Sequence, residues 1–263
     1  MNKINIYMNR FNKYMEYLIT KIKVFVKEKR FYNRDYCLKY ILERHQSNVL
    51  IVIFSGCTRI GLKARYNYNR TLKNIKANKL FILDDFGYDQ RGAYYLGHNM
   101  DFKIQEVVKE LIYKIQKDLN TDKTLYIGSS KGGYASLYFG MQEENSIIIA
   151  GAPQYFLGNY LHQPDYEETC LKYIIGKDVT DDKILLLNNL LSNMISKNAA
   201  NNNSVYLHFS DSEPTYEKQI KDLISCLKKN NVTYYTDVGK YTNHGDVSLH
   251  FPQYLIRTIK ELI

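Results

Sequence analysis

Residues 124–133 read Thr124-Leu-Tyr-Ile-Gly-Ser-Ser-Lys-Gly-Gly133. The first four are β-branched, aromatic or aliphatic, the composition of a buried strand. The next six are small apart from Lys131, and a helical stretch follows to about Met141. Gly128-Ser-Ser-Lys-Gly132 fits the pattern G-x-S-x-G with Ser130 at its centre. Between a strand and a helix this pattern has a steric meaning. A serine raised on a sharp turn needs small residues two positions to either side so that strand and helix can close on each other. The start of the helix then offers its N–H groups and its dipole to negative charge forming beside the serine.

Outward from this unit the chain alternates between two periods. Apolar runs at Asn48–Phe54, Lys79–Leu83, Ser146–Ala150, Ser204–Phe209 and Val232–Thr236 read as further strands. Helical spacing appears over 102–119, 216–229 and 250–262. Such alternation specifies an α/β fold, a mostly parallel sheet with helices on both faces, whose ligands bind at the carboxyl ends of the strands. Residues 154–203 form an insertion, read as a helical cap before the strand that ends at Ser210-Asp211. Ile4, Met8, Phe11, Met15, Leu18, Ile19, Ile22 and Val26 lie near helical spacing among basic residues, and 35–45 reads as another helix. The expected organisation is therefore a basic amphipathic helical segment over 1–47 and an α/β domain over 48–263.

A nucleophilic serine needs a base, and the base needs a group to orient it. In a fold of this kind they follow in the order serine, acid, histidine. Asp211, just after a strand, is the first choice of acid. Glu213 is second, and Asp237, after the next strand, is third. His244, on a loop after the last strand, is the expected base. His45 and His98 precede Ser130, His162 lies in the insertion, His208 is inside a strand, and His250 begins the last helix. Two N–H donors are needed for an oxyanion. Lys131, following the nucleophile, supplies one, and Cys57, after the tight Ser55-Gly56 turn, supplies the other. The Cys57 thiol is a rival nucleophile. Gly56, Arg59, Arg91 and Tyr94 border the same crevice and are candidate substrate contacts. Arg59, Lys63 and Arg65 could hold phosphate or carboxylate groups.

Composition narrows the function classes. The 263 residues are 45% hydrophobic and 24% charged, which excludes a disordered, collagen-like or coiled-coil chain. The longest clean apolar run, Val49–Phe54, is far short of the ~20 residues of a membrane span. No secretory signal is expected from the first 30 residues. Lys plus Arg number 36 against 27 acidic residues, a net charge of +9. Residues 1–30 carry eight bases and two acids, and such an excess attracts polyanions or anionic lipid. The four cysteines, Cys37, Cys57, Cys170 and Cys226, show neither C-x-x-C nor zinc spacing, so a reducing, cytoplasmic location and no metal are expected. No nucleic-acid motif accompanies the charge, and nucleic acid is not an expected partner.

The strand–Gly-Ser-Ser-Lys-Gly-Gly–helix unit, the Phe54-Ser-Gly56 loop and the late Asn243-His-Gly-Asp246 together resemble the serine α/β-hydrolase-like O-acetyltransferases of bacterial capsular polysaccharide loci. The resemblance covers about residues 48–263 and implies an α/β-hydrolase fold. It implies that Ser130 takes an acetyl group from acetyl-CoA, with His244 as base and Asp211 as its orienter. The acetyl group then passes to hydroxyls of an acidic polymer of N-acetylmannosamine phosphate. The implied partners are acetyl-CoA and the acidic capsular polysaccharide, with peripheral contact at the inner membrane or a capsule assembly complex, and a homo-oligomer is left open. Two other readings remain: a serine esterase or deacetylase using the same triad, and a non-catalytic polysaccharide-binding module on the same fold.

Overall fold

The computed structural model describes residues 15, 24, 26–33 and 35–263. Eight strands make one sheet: β1 (Lys29–Asn33), β2 (Tyr36–Glu43), β3 (Val49–Phe54), β4 (Asn78–Leu83), β5 (Lys123–Ser129), β6 (Ile147–Gly151), β7 (Ser204–Ser210) and β8 (Thr233–Gly239). Their spatial order is β1-β2-β4-β3-β5-β6-β7-β8. β1 and β2 are antiparallel, and from β4 to β8 every pairing is parallel. This is the sheet of the α/β-hydrolase fold.

Burial alternates along β3. Leu50, Val52 and Phe54 enter one core with α1 (Lys103–Leu119) and α2 (Lys131–Gly140). Val49, Ile51 and Ile53 enter the other, with the final helix, called α7 below. Both faces are covered, which is why β3 is a continuous apolar run rather than an alternating one. The insertion between β6 and β7 is helical: α3 (Leu157–Leu161), a π turn (Glu167–Leu171) running into α4 (Lys172–Ile175), and α5 (Asp181–Lys197). Asn159 and Asn188 exchange side-chain and backbone hydrogen bonds of 2.8 and 2.9 Å that hold α3 against α5. A second π turn (Tyr216–Ile220) leads into α6 (Lys221–Lys229), and α7 (Val247–Leu262) closes the chain.

The amino-terminal expectation needs correction. Residues 36–43 form a strand, not a helix, and with β1 they extend the sheet, so 29–43 belong to the α/β body. Leu38 and Ile41 are both buried but in opposite cores, because each face of the sheet is covered. Two buried residues three apart on opposite faces imitate one helical stripe. Of the amphipathic helix expected over 4–30, residues 15, 24, 26 and 27 are helical and Lys29 and Arg30 open β1, while 4–14, 16–23 and 25 lie outside the described residues.

Three glycines set the turn after β5. A Cβ on Gly128 would lie 2.3 Å from the Gly132 carbonyl oxygen, one on Gly132 2.7 Å from that of Phe54, and one on Gly133 3.1 Å from that of Gly151. All three obstacles are backbone and cannot turn aside. Gly132→Ala should therefore cost about 1–3 kcal/mol in urea unfolding. Gly245→Ala, with nothing within 4 Å of its Cβ, should stay within about 0.5 kcal/mol.

Candidate active site

Ser130 stands between β5 and α2 with φ 51° and ψ −121°, a strained conformation for a residue with a side chain. Two backbone hydrogen bonds hold it there: Ser130 N–H donates to Gly151 O at 2.8 Å, and Tyr134 N–H donates to Ser130 O at 2.9 Å. The strained turn leaves Ser130 partly exposed at the sheet's carboxyl edge, while its helix is buried along its whole length.

Ser130 Oγ lies 2.9 Å from His244 Nε2. His244 Nδ1 lies 3.3 Å from Glu213 Oε2. The carboxylate thus sits where it can hold the imidazole with its proton on Nδ1 and leave Nε2 free to accept from the serine. Here the first-choice acid, Asp211, is displaced. Asp211 is exposed at the turn after β7 and accepts from Ser212 Oγ at 3.0 Å. Glu213, two residues further, is 2% exposed and reaches the histidine with its longer side chain. Asp237, the third choice, is engaged elsewhere, 2.6 Å from His208 Nδ1 and 3.0 Å from Arg257 Nη2. Desolvation lowers the pKa of His208, and the side chain stacks on Tyr241 within the core.

Lys131 plays two parts. Its N–H opens α2, where backbone donors have no partner within the helix. Its side chain turns inward and its Nζ meets Asp84 Oδ2 at 2.7 Å, the lysine 1% and the aspartate 0% exposed. Asp84 also accepts from Ala93 N–H at 2.9 Å and Tyr95 N–H at 3.3 Å. Gly92, at φ 118°, passes so close that a Cβ there would lie 2.0 Å from Lys131 Nζ. The loop 84–95 is therefore wound around one carboxylate.

The same network reaches the loop after β3. Ser55 Oγ accepts from Asp84 N–H at 3.1 Å, and Tyr95 OH accepts from Ser55 N–H at 2.7 Å. Gly56 N–H donates to Asn67 Oδ1 at 2.9 Å, and the ideal Cβ position of Gly56 is 3.6 Å from Ser129 O. The turn carrying Cys57 thus adjoins the turn of Ser130. Burial pushes the Cys57 thiol up, which disfavours the thiolate and with it the rival cysteine nucleophile.

The expected substrate contacts divide. Arg59, Lys63 and Arg65 are exposed. Arg91 is 4% exposed and acts as a clamp: Nε donates to Asp89 at 2.5 Å, Nη1 to Thr58 O at 3.3 Å and Nη2 to Asp165 O at 2.6 Å. It ties the β3 loop, the 84–95 loop and the insertion together, and has little surface left for substrate. Tyr94, 2% exposed and at φ 54°, donates its hydroxyl to Gln154 Oε1 at 3.3 Å. Gln154 Nε2 in turn donates to Ser130 Oγ at 3.1 Å. The sequence reading passed over Gln154. Its only signal is its place, directly after the Gly151-Ala-Pro153 end of a strand beside the nucleophile's. Among the described residues no group of three or more His, Cys, Asp or Glu is placed to hold a metal ion, and no helix is long and apolar enough to cross a membrane.

Sheet order, turn and side-chain relay together define the fold of the serine α/β-hydrolases. No family model and no curated protein matches the sequence significantly. Among solved structures, the capsule O-acetyltransferase of Neisseria meningitidis serogroup A is similar, with a TM-score of 0.74 and 20% identity over 88% of this chain and 92% of that one. A histidine-to-alanine variant of that enzyme in complex with CoA gives 0.72 and 18% over 88% and 94%. A fluorophosphonate-binding serine hydrolase of Staphylococcus aureus, FphF, gives 0.61 and 12% over 87% and 96%. The family resemblance read from the motifs therefore holds at the level of fold.

Two outcomes follow from this geometry. Reaction of Ser130 with a fluorophosphonate probe should disappear in Ser130→Ala, fall about 10²–10⁴-fold in Glu213→Ala, and change less than about threefold in Asp211→Ala. Lys131→Met, which strands a buried carboxylate, should lower unfolding stability by about 3–5 kcal/mol.

Proposed function

We propose that the protein is a polysaccharide O-acetyltransferase that moves an acetyl group from acetyl-CoA through Ser130 to hydroxyls of an acidic capsular polymer. The observation that carries the reading is the relay Ser130 Oγ–His244–Glu213, set on the fold of a capsule O-acetyltransferase of which a histidine-to-alanine variant has been solved in complex with CoA. His244 Nε2 takes the Ser130 proton as Oγ attacks the thioester carbonyl. The Lys131 and Cys57 N–H groups receive the oxyanion. The thiol leaves with the proton from His244, and Ser130 carries the acetyl group. His244 then takes a proton from the polymer hydroxyl, which attacks the acetyl-serine, and returns it to Ser130 Oγ as the sugar ester leaves.

Charge supports an anionic substrate. From Ser55 to Leu83 the chain has seven basic residues and no acidic one. Of these, Arg59, Lys63 and Arg65 are exposed just beyond the Cys57 turn. Phosphates of CoA and of a phosphodiester polymer both suit such a surface. A second reading, a serine esterase working on surface-polysaccharide esters or small acyl esters, is favoured by the serine hydrolase among the structural neighbours. There water would take the place of the sugar hydroxyl.

Thiol release from acetyl-CoA separates the two. The proposal expects release that depends on both Ser130 and an acidic polymer with free hydroxyls. Cleavage of a simple acetyl ester without thiol release would assign the protein to the esterases.

A further inference from the structure

Gln154 is placed unlike an ordinary buried amide. It is 1% exposed, and its side chain ends on the reacting atom itself, with Nε2 donating to Ser130 Oγ at 3.1 Å. The other end of the amide is fixed, because Tyr94 OH donates to Oε1 at 3.3 Å. The one proton of Ser130 Oγ faces His244 Nε2, so the amide end turned to Oγ must be the donor, and Oε1 is left to accept from the Tyr94 hydroxyl. Tyr94 is itself held, 2% exposed, edge-on to the Tyr134 ring at 5.4 Å and carried by the loop wound around Asp84. Ser130 Oγ thus has one acceptor, His244 Nε2, and one donor, Gln154 Nε2.

We propose that Gln154 is a catalytic residue, an amide donor that stabilises negative charge on Ser130 Oγ each time the bond between Oγ and the acyl carbon forms or breaks. This rests on the reading of Ser130 as an acyl-carrying nucleophile. As Oγ attacks, its proton passes to His244 Nε2, the C–O bond forms and the carbonyl electron pair moves to the carbonyl oxygen. The adduct collapses as the C–S bond breaks and the thiol leaves with the proton from His244, and in the second half the acceptor hydroxyl gives its proton to His244 as it forms its own bond to the acyl carbon. The Oγ–C bond then breaks with its electron pair going to Oγ, which takes the proton back from His244 as it leaves. The Lys131 and Cys57 N–H groups act on the carbonyl oxygen in both halves. They do nothing for the charge on Oγ, which only a donor aimed at Oγ can stabilise, and a buried, preorganised donor does so without reorganising. The Tyr94 contact supplies the preorganisation, so Tyr94 is a positioning residue.

The test measures acylation of Ser130 by p-nitrophenyl acetate in rapid mixing, together with kcat and KM, for the full chain and its variants. Gln154→Ala should slow acylation about 10²-fold while KM stays within threefold. Gln154→Glu keeps the shape but places an acceptor against Oγ. It should be slower still at neutral pH, and its deficit relative to the parent at the same pH should shrink as acidification protonates the carboxyl, a narrowing that loss of packing would not produce. Tyr94→Phe should fall about tenfold, without that pH dependence. Circular dichroism and unfolding midpoints confirm that each variant folds. If Gln154→Ala and Gln154→Glu acylate within threefold of the parent, the proposal is wrong while the serine reading stands. If the parent itself shows no acylation that Ser130→Ala removes, the underlying reading fails instead.

Discussion

The site depends on one buried ion pair, Lys131 Nζ to Asp84 Oδ2 at 2.7 Å. A buried pair of this kind is weak evidence for stability, because desolvating two charges offsets much of their attraction. Its value here is positional. Lys131 begins the helix after Ser130, and Asp84 directly follows β4, two strands from β5 in the sheet. Asp84 organises the loop carrying Tyr94 and Tyr95, and Tyr95 OH accepts the Ser55 N–H of the β3 loop while donating to Ile82 O at 2.9 Å. Ser130, the expected oxyanion donors and the Tyr94–Gln154 contact are therefore registered to one another through a single carboxylate. Gly92 follows as a necessity, since any side chain there would strike the lysine.

Charge and reach decide the rest of the relay. Ser130, Glu213 and His244 come from the ends of β5, β7 and β8, so the parallel sheet brings their turns to one edge. Glu213 sits beneath the surface while Asp211, nearer the strand, points to solvent. Next to a shielded carboxylate, an imidazole that becomes cationic during proton transfer is stabilised more than it would be beside an exposed one. The same burial sets Glu213 apart from the structural pair His208–Asp237, which sits on neighbouring strands and packs against Tyr241, Phe251 and Tyr254.

Strands β3 to β8, the turn at Ser130, the helical insertion and the pairing of Ser130 with His244 were legible in the sequence, because each leaves a local signature of period, small residues or chain order. β2 was not, since Leu38 and Ile41 face opposite cores at a helical spacing. The acid was legible only to within one turn. A separation of two residues does not reveal which carboxylate is buried. Arg91 and Tyr94 were expected to contact substrate, whereas both are buried, the arginine tying three loops together and the tyrosine supporting Gln154. The pair Lys131–Asp84 joins residues 47 positions apart. Its only trace was a lysine standing alone among small residues. Gln154 left only its place after a strand end, since nothing in a single glutamine announces the atom at which it points.

The central claim is that Ser130 carries the acyl group donated by acetyl-CoA. Peptide mass spectrometry of the protein mixed with acetyl-CoA and quenched before any acceptor is added tests it most directly. The account predicts one acetyl group, on the peptide holding Ser130 and absent from Ser130→Ala. An unmodified Ser130 peptide, or an acetyl group on Cys57 that survives in Ser130→Ala, would contradict it.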